Sequence, residues 1–259
     1  MDYALLVGIN AYPDPSNVLD GCLNDVSDVS GLLRGSYGFA SSSIAALLDQ
    51  AATAAAIQTA IQDTVATLRD GDRFLFWYSG HGDQMLYGDI NSDVICPVDY
   101  DGTPAHAVSI IQFHNMFGRI PAGVRAYWGS DSCFSGNLQR KFQLTTRRTR
   151  HFKRERPQTP PVFKRSMTLQ AAADALPNIV LLAACRGDQE SSEWASSGGR
   201  SNGAFTHFLL DVLEQSGGTG LAVSALISKT QAELTANNLD QAPQCTGSAN
   251  ALASPFLGD

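Results

Sequence analysis

Two short polar turns of the sequence carry residues that could act together as a nucleophile and its base. In the stretch 128–136, Cys133 follows the apolar run 124–128 and lies among Gly and Ser residues. In the stretch 73–82, His81 follows an equally apolar run. Open α/β sheets present reactive groups at the carboxyl ends of their strands, so two neighbouring strands would bring both residues to one crevice. A thiol with an imidazole in reach is an activated nucleophile.

This pair could perform acyl transfer. An imidazole beside a thiol can hold it as thiolate near neutrality and later return a proton to a leaving amine. The backbone N–H groups of Gly82 and Cys133 are candidates for an oxyanion hole, because glycine allows a substrate carbonyl to approach closely. The alternative is that Cys133 is a small buried residue and His81 an ordinary loop histidine. Both residues follow an apolar run and lie among Gly and Ser, which favours the catalytic interpretation.

The elements that must position these turns follow from the apolar pattern. It predicts strands at 3–9, 44–48, 73–78, 124–128 and 178–184, a last strand from Gln244, and helices at 22–33, between Thr53 and Gly71, and at 109–117, 203–214 and 221–234. We expect the acid-rich stretch 83–101 to be a polar loop. Strands that alternate with helices predict one α/β domain with a largely parallel sheet covered on both faces.

The charge is distributed unevenly. The net charge is −7, but the segment from Arg140 to Arg165 holds ten Lys or Arg residues and one acid, Glu155. This segment therefore carries about +9 and the rest of the chain about −16, so the two should attract each other. The prolines at 157, 160 and 161 oppose regular structure. We predict an exposed loop.

Composition excludes several classes of protein. Five cysteines (Cys22, Cys96, Cys133, Cys185 and Cys245) form an odd set without CxxC spacing, which disfavours a disulfide framework and a zinc site. Those at 96, 185 and 245 are interpreted as small apolar side chains. No apolar run approaches the roughly 20 residues that span a bilayer, and the N-terminus enters a strand without a basic leader. We expect a cytoplasmic chain without a membrane partner.

Several motifs in order resemble one family. They are Ala4-Leu-Leu-Val-Gly-Ile-Asn10, Gly21-Cys-Leu-Asn-Asp25, Tyr78-Ser-Gly-His-Gly82, Cys96-Pro-Val-Asp99, Asp131-Ser-Cys-Phe-Ser-Gly136, Leu182-Ala-Ala-Cys185, Gly203-Ala-Phe-Thr206 and Gln241-Ala-Pro-Gln244. Together they resemble the metacaspases and their prokaryotic relatives, the orthocaspases. The resemblance spans nearly the whole chain.

The resemblance implies a fold and a chemistry. The fold would be a caspase-type α/β/α sandwich with a mainly parallel six-stranded sheet. Residues 1–139 would be the large-subunit-like part, 140–166 an exposed basic processing loop, and 167–259 the small-subunit-like part of the same domain. The chemistry would be that of a cysteine endopeptidase in which Cys133 attacks the scissile carbonyl and His81 handles the protons. The family also favours a monomer.

Charge indicates which bond would be cut. A cationic side chain stripped of water must be paired with carboxylates. The residue before the cleaved bond is P1, and the pocket that binds its side chain is S1. Asp25 and Asp131 match positions that line the S1 pocket in metacaspases, and Cys22 and Ser79 match other positions in its wall. We therefore expect protein or peptide substrates with Arg or Lys at P1. The alternatives are a helix-start carboxylate for Asp25 and a turn-capping acid for Asp131.

The basic loop leaves the sheet a few residues beyond the nucleophile, which predicts self-cleavage there. The candidate P1 residues are Arg147, Arg148, Arg150, Lys153, Arg154 and Arg156. A nucleic-acid-binding tract and a merely solvated loop are the alternatives. We expect peptide substrates rather than nucleic acid.

The sequence also bears on calcium binding and on alternative functions. Many metacaspases need calcium, yet beyond Asp93 the corresponding stretch reads Val108-Ser-Ile-Ile-Gln112, and isoleucine side chains offer no oxygen ligand. We predict no cofactor and calcium-independent activity. The rivals are a catalytically silent caspase-fold scaffold and a nucleic-acid-binding module. A thiol redox protein is disfavoured because no resolving cysteine lies near Cys133 in the sequence.

Overall fold

A computed structural model of the chain describes residues 1–87, 89–133, 149–150, 152–153, 165–168, 171, 176, 178–187, 189–196 and 198–258. Its strands are β1 Asp2–Gly8, β2 Ile44–Leu48, β3 Arg73–Ser79, β4 Gly82–Tyr87, β5 Ile90–Ile95, β6 Val108–Ser109, β7 Arg125–Asp131, β8 Arg165–Met167, β9 Ile179–Ala183, β10 Glu193–Ala195, β11 Ser201–Gly203 and β12 Gln244–Thr246. Its α-helices are α1 Cys22–Ser36, α2 Ala54–Thr67, α3 Ile110–Phe117, α4 Ala204–Gln215, α5 Val223–Ala236 and α6 Ala249–Ala253.

The central sheet has six strands in the order β12-β9-β7-β3-β1-β2. All neighbours pair in parallel except β12, which runs antiparallel to β9 at one edge. Strands β3 and β7 lie side by side in the middle, and Ser79 at the end of β3 pairs with Asp131 at the end of β7. The predicted six-stranded, mainly parallel sheet is confirmed.

Side chains along the strands alternate between two apolar layers. In β3, Phe74 and Phe76 pack on one face with α2 and α3, through residues such as Ile57. Leu75 and Trp77 pack on the opposite face with α1, α4 and α5. Helices on both faces explain why these strands are apolar throughout, since each face needs cover from water. The α/β/α sandwich is confirmed.

A second, small sheet corrects the sequence interpretation of 83–101 as a polar loop. Strand β5 pairs antiparallel with β4 and β6 and parallel with β8. Val94 and Ile95 are fully buried, and the carboxylate of Asp83 is also buried, where it accepts a hydrogen bond from Tyr100 Oη at 2.9 Å. Polar residues on the buried side hid the strand period, because alternation is recognised only when one side is apolar.

The basic segment 140–166 is only partly described. The cleavage candidates Arg147, Arg148, Arg154 and Arg156 lie outside the described residues. Arg150 is fully buried and Phe152 is 8% exposed, so the expected exposed loop is wrong for these two residues. The reason is that this part of the segment lies in a cleft of the protein's own sheet, as described below. Among the described residues, we find no helix that is long and apolar enough to cross a membrane.

Candidate active site

The ends of β3 and β7 bring the two predicted catalytic residues to the same edge of the sheet. His81 lies two residues beyond Ser79, and Cys133 lies two residues beyond Asp131. The Gly80 N–H donates to the Asp131 carbonyl at 3.4 Å, which keeps the two backbone segments together after the strands end. Both His81 and Cys133 are buried. The structure thus places them in the common crevice expected from the sequence.

The ring of His81 is held by two residues from the loop after β1. Nε2 lies 2.7 Å from the carbonyl oxygen of Asn17. A carbonyl can only accept, so Nε2 carries the proton and Nδ1 is the basic nitrogen of the neutral ring. The backbone N–H of His81 donates to Tyr12 Oη at 2.9 Å, and the Tyr12 ring packs against the imidazole with centroids 4.7 Å apart. These contacts fix both the tautomer and the orientation.

The thiol of Cys133 lies against the segment before β10. The Ser191 N–H donates to Cys133 Sγ at 2.6 Å, and Sγ lies 3.3 Å from the Ser191 carbonyl oxygen. The hydrogen bond between the two thiols, followed by burial, raises the pKa of Cys185 well above its ordinary value. Cys185 is therefore more than an apolar filler, because a second thiol does lie beside Cys133 although it is distant in sequence.

The side chain of Arg150 fills a buried pocket between β3, β7 and α1. Its Nη1 donates to Ser79 Oγ at 2.6 Å and to the Asp131 carbonyl at 3.0 Å, and its Nη2 donates to Asp25 Oδ2 at 2.9 Å. Nη2 also lies 3.8 Å from Glu193 Oε1. A guanidinium can form these bonds in two directions because its donors are arranged as a rigid fork.

The two predicted pocket aspartates are themselves fixed by neighbours. Asp131 accepts from Ser191 Oγ at 2.7 Å and from the N–H and hydroxyl of Thr206 at 3.0 and 2.7 Å. Its Oδ1 lies 3.5 Å from Arg150 Nη1. Asp25 accepts from Ser79 Oγ at 2.6 Å and from the Gly203 N–H at 2.9 Å. Both carboxylates are thus preorganised around the guanidinium.

Burial dominates the electrostatics of this pocket. Burial raises the pKa of Asp25 to about 6. The charge of Arg150 lowers this pKa, and the charge of Asp131 raises it further. Burial also raises the pKa of the Cys22 thiol, which faces the same guanidinium. Burial alone would lower the pKa of Arg150, but Asp131 and its neighbours hold it above its ordinary value. All four predicted pocket residues therefore surround one cation.

The backbone of Thr149 and Arg150 is held in the crevice by hydrogen bonds. The Arg150 carbonyl oxygen accepts from the Gly82 N–H at 3.1 Å and from the Cys133 N–H at 3.3 Å. The Arg150 N–H donates to the Ser191 carbonyl at 3.0 Å, and Thr149 forms an antiparallel bridge with Ser192. The two backbone donors expected from the sequence thus converge on one carbonyl, and that carbonyl belongs to the residue whose side chain fills the pocket.

The sequence of this chain matches a known protein family. The sequence profile of the caspase domain matches residues 1–253. This chain belongs to the caspase-domain family. It is 38% identical over 144 residues to metacaspase-1 of Debaryomyces hansenii, which covers 51% of this chain and 32% of that protein. It is 31% identical over 147 residues to metacaspase-9 of Arabidopsis thaliana, covering 52% of this chain and 43% of that protein.

Solved structures show the same caspase fold. A protein from Geobacter sulfurreducens superposes with a TM-score of 0.70 at 25% identity, over 98% of this chain and 96% of that one. Caspase-1 from Spodoptera frugiperda superposes with a TM-score of 0.64 at 13% identity, over 95% and 86% of the two chains. This caspase domain spans about a third to two fifths of the length of the metacaspases named above. It belongs to the caspase-like cysteine peptidases.

Sequence reasoning missed several residues of the site. Glu193 accepts from the N–H groups of Asp20 and Gly21 at 2.9 and 2.6 Å and adds a third carboxylate near Arg150. Asn17 orients His81, and Ser191 contacts both Cys133 and Asp131. Glu193 begins the short strand β10, and Asn17 and Ser191 lie outside the strands and α-helices. The polar sequence around them resembles that of any surface turn, so only the fold reveals them.

Proposed function

We propose that this caspase domain is a cysteine endopeptidase that cleaves after arginine, and that its first substrate is its own Arg150–His151 bond. The observation that carries the proposal is the double engagement of Arg150: its guanidinium is paired in the pocket while its carbonyl oxygen accepts from Gly82 and Cys133. A peptide carbonyl held by two backbone donors beside a thiol is arranged for acyl transfer.

The chemistry assigned to each residue is as follows. The Cys133 thiol gives its proton to Nδ1 of His81, and the thiolate attacks the Arg150 carbonyl carbon. The negative oxygen of the tetrahedral intermediate is stabilised by the N–H groups of Gly82 and Cys133. His81 then protonates the departing amine of His151, which leaves a thioester on Cys133. Water, activated by His81, hydrolyses the thioester and restores the thiol.

Arginine should be preferred over lysine at P1. The two terminal nitrogens of the guanidinium point to different acceptors, Ser79 for Nη1 and Asp25 for Nη2. The single ammonium of lysine cannot occupy both positions. The same argument applies to external substrates, which would enter the pocket once the Arg150 segment has been cut and released.

Intact mass spectrometry of the purified chain tests the proposal. Wild type should yield fragments that end at Arg150 and begin at His151, whereas Cys133→Ala should remain whole. Arg150→Ala should lose this cleavage, and Cys245→Ala serves as a matched control because its thiol is half-buried on β12, away from the site. Identical fragments in wild type and Cys133→Ala would exclude self-processing.

A second candidate function, the silent scaffold, is favoured by the same occupied cleft. If the Arg150 segment stays uncut, it blocks the crevice against substrates. An arginyl chloromethyl ketone or a similar covalent inhibitor distinguishes the two functions. Labelling of Cys133 supports the peptidase, and an intact, unlabelled chain supports the scaffold.

We further propose that activity does not require calcium. Ile110 is buried in the core, and the Gln112 side chain is engaged in capping α3, where it accepts from Ser109 N at 2.8 Å. Asp93 accepts from Gln84 Nε2 at 2.9 Å. Arginyl-coumarin hydrolysis should therefore be unchanged within about twofold between excess EGTA and millimolar calcium. A several-fold rise on adding calcium would contradict this.

A further inference from the structure

A second side chain of the same segment lies in a built pocket on the far side of the Arg150–His151 bond. Phe152 is 8% exposed. Its ring makes edge-on contacts with Tyr100, with centroids 4.7 Å apart, with His81 at 5.9 Å and with Tyr12 at 6.0 Å. Perpendicular aromatic contacts at these distances are favourable beyond the area that they bury.

The walls of this pocket are fixed by the fold. Tyr12 Oη donates to the Cys96 carbonyl at 3.0 Å, and Tyr100 Oη donates to Asp83 Oδ2 at 2.9 Å. Both tyrosines are 4% exposed. Because their hydroxyls are hydrogen-bonded to β4 and to the turn after β5, the two rings are held by contacts other than those with Phe152.

The backbone beyond Arg150 is also held. The Phe152 N–H donates to the Gly82 carbonyl at 3.2 Å. The side-chain amide of Asn17 then accepts from the Lys153 N–H at 2.8 Å and donates to the Lys153 carbonyl at 3.3 Å. These bonds fix the register of the chain, so that the second residue after the cleaved bond always faces the two tyrosines.

We propose that the cleft contains a second specificity site, which binds an aromatic side chain at the second residue after the cleaved bond (P2′). The site consists of Tyr12, Tyr100 and the outer face of His81, and Asn17 binds the backbone of the following residue. This inference rests on the proposed peptidase function. The preferred substrates are proteins in which an arginine is followed, two positions later, by phenylalanine or another aromatic residue.

Internally quenched peptides test the site in the whole 259-residue chain. One has the sequence Ala-Ala-Thr-Arg-His-Phe-Ala-Ala, which contains a single arginine, and its partner has Ala in place of Phe. Burying a phenylalanine side chain should raise kcat/KM by about tenfold or more over alanine. Equal kcat/KM values would overturn the site. An arginyl-coumarin substrate, which has no residue beyond the cleaved bond, reports separately whether the chain is a peptidase.

Two Tyr100 variants locate the effect. Tyr100→Phe keeps the ring and should keep the preference for the Phe peptide. Tyr100→Ala removes the ring and should reduce that preference to within about twofold of unity. A preference that survives in Tyr100→Ala would place the aromatic side chain elsewhere and overturn the assignment.

Hydrogen exchange tests the pocket without catalysis. In Cys133→Ala the segment stays uncut, and the amides of residues 152 and 153 should be protected by Gly82 and Asn17. Adding Phe152→Ala should accelerate their exchange by about tenfold or more, whereas adding Lys153→Ala, which alters an exposed side chain, should not. Unchanged exchange in the Phe152→Ala protein would overturn the site even if the chain had no peptidase activity.

Discussion

The Arg150 guanidinium faces more negative charge than it can neutralise. Asp25, Asp131 and Glu193 all lie within 4 Å of it, and the pocket is closed to water. Removing charge from water disfavours the ionised carboxyl, which is why the pKa of Asp25 rises to about 6 although a cation is bound next to it. Recognition of a cationic P1 residue is therefore expected to depend on pH in a range in which ordinary aspartates do not titrate.

The direction in which recognition of a P1 arginine changes with pH can be predicted. Asp25 is charged above about pH 6 and takes up a proton below it, so its pairing with a P1 arginine is lost as the pH falls through that value. The ratio of kcat/KM for an arginyl substrate to that for a citrullinyl substrate, which is a neutral isostere, should fall about tenfold from pH 8 to pH 5. The pH dependence of the chemical step is shared by both substrates and cancels in this ratio. Asp25→Asn should make the ratio lower and independent of pH, and a flat wild-type profile would contradict the assignment.

Only part of the site could be predicted from the sequence. Cys133 and His81 were identified because each follows an apolar strand, and Asp25 and Asp131 because charge and motif agreed. Glu193 and Asn17 could not be identified in this way. Their contacts, to Gly21 and to His81 and Lys153, join segments that are distant in sequence, and a polar residue carries no sign of such a partner.

Among the elements, the junction of β11 and α4 closes the arginine pocket. A Cβ atom added at Gly203 would overlap Asp131 Oδ2 and lie 2.7 Å from the Arg150 guanidinium carbon. Gly203→Ala should therefore abolish arginyl cleavage and labelling of Cys133. Gly31→Ala in α1 is the matched control, because nothing lies within 4 Å of its added Cβ. The control should retain activity and gain about 0.5–1 kcal/mol in helix stability, measured by urea unfolding. Full activity in Gly203→Ala would mean that the pocket is wider than described.

The elements of the central sheet could be predicted because both faces of each strand are apolar. The strand at Arg73 to Tyr78 and the helix capped by Thr53 were found close to their observed bounds. The small sheet could not be found, since Asp83 and Asn91 are buried there through hydrogen bonds rather than apolar contact. The pattern of apolar residues reveals a strand whose buried face is apolar. It does not reveal a strand whose buried face is polar.

The cleavage proposed after Arg150 would divide the whole molecule's chain but not its central sheet. Strand β9, which follows Arg150, pairs with β7, which precedes it, and β8 pairs with β5. The apolar layer on one face of the sheet combines Trp77 with Phe205, whose rings are stacked with centroids 6.1 Å apart. If the chain were cut there, neither fragment could leave without exposing this core to water.

Cleavage after Arg150 should therefore produce two fragments that stay together. The processed protein should elute from a size-exclusion column at the position of uncut Cys133→Ala, with light scattering that reports one copy of each fragment, and should separate only in denaturant. Because the Arg150 segment already lies in its own cleft, the cleavage rate should also be first order and independent of protein concentration. Cleavage that accelerates on concentrating the sample would show that one molecule cuts another. Fragments that separate without denaturant would show that the shared sheet does not survive the cut.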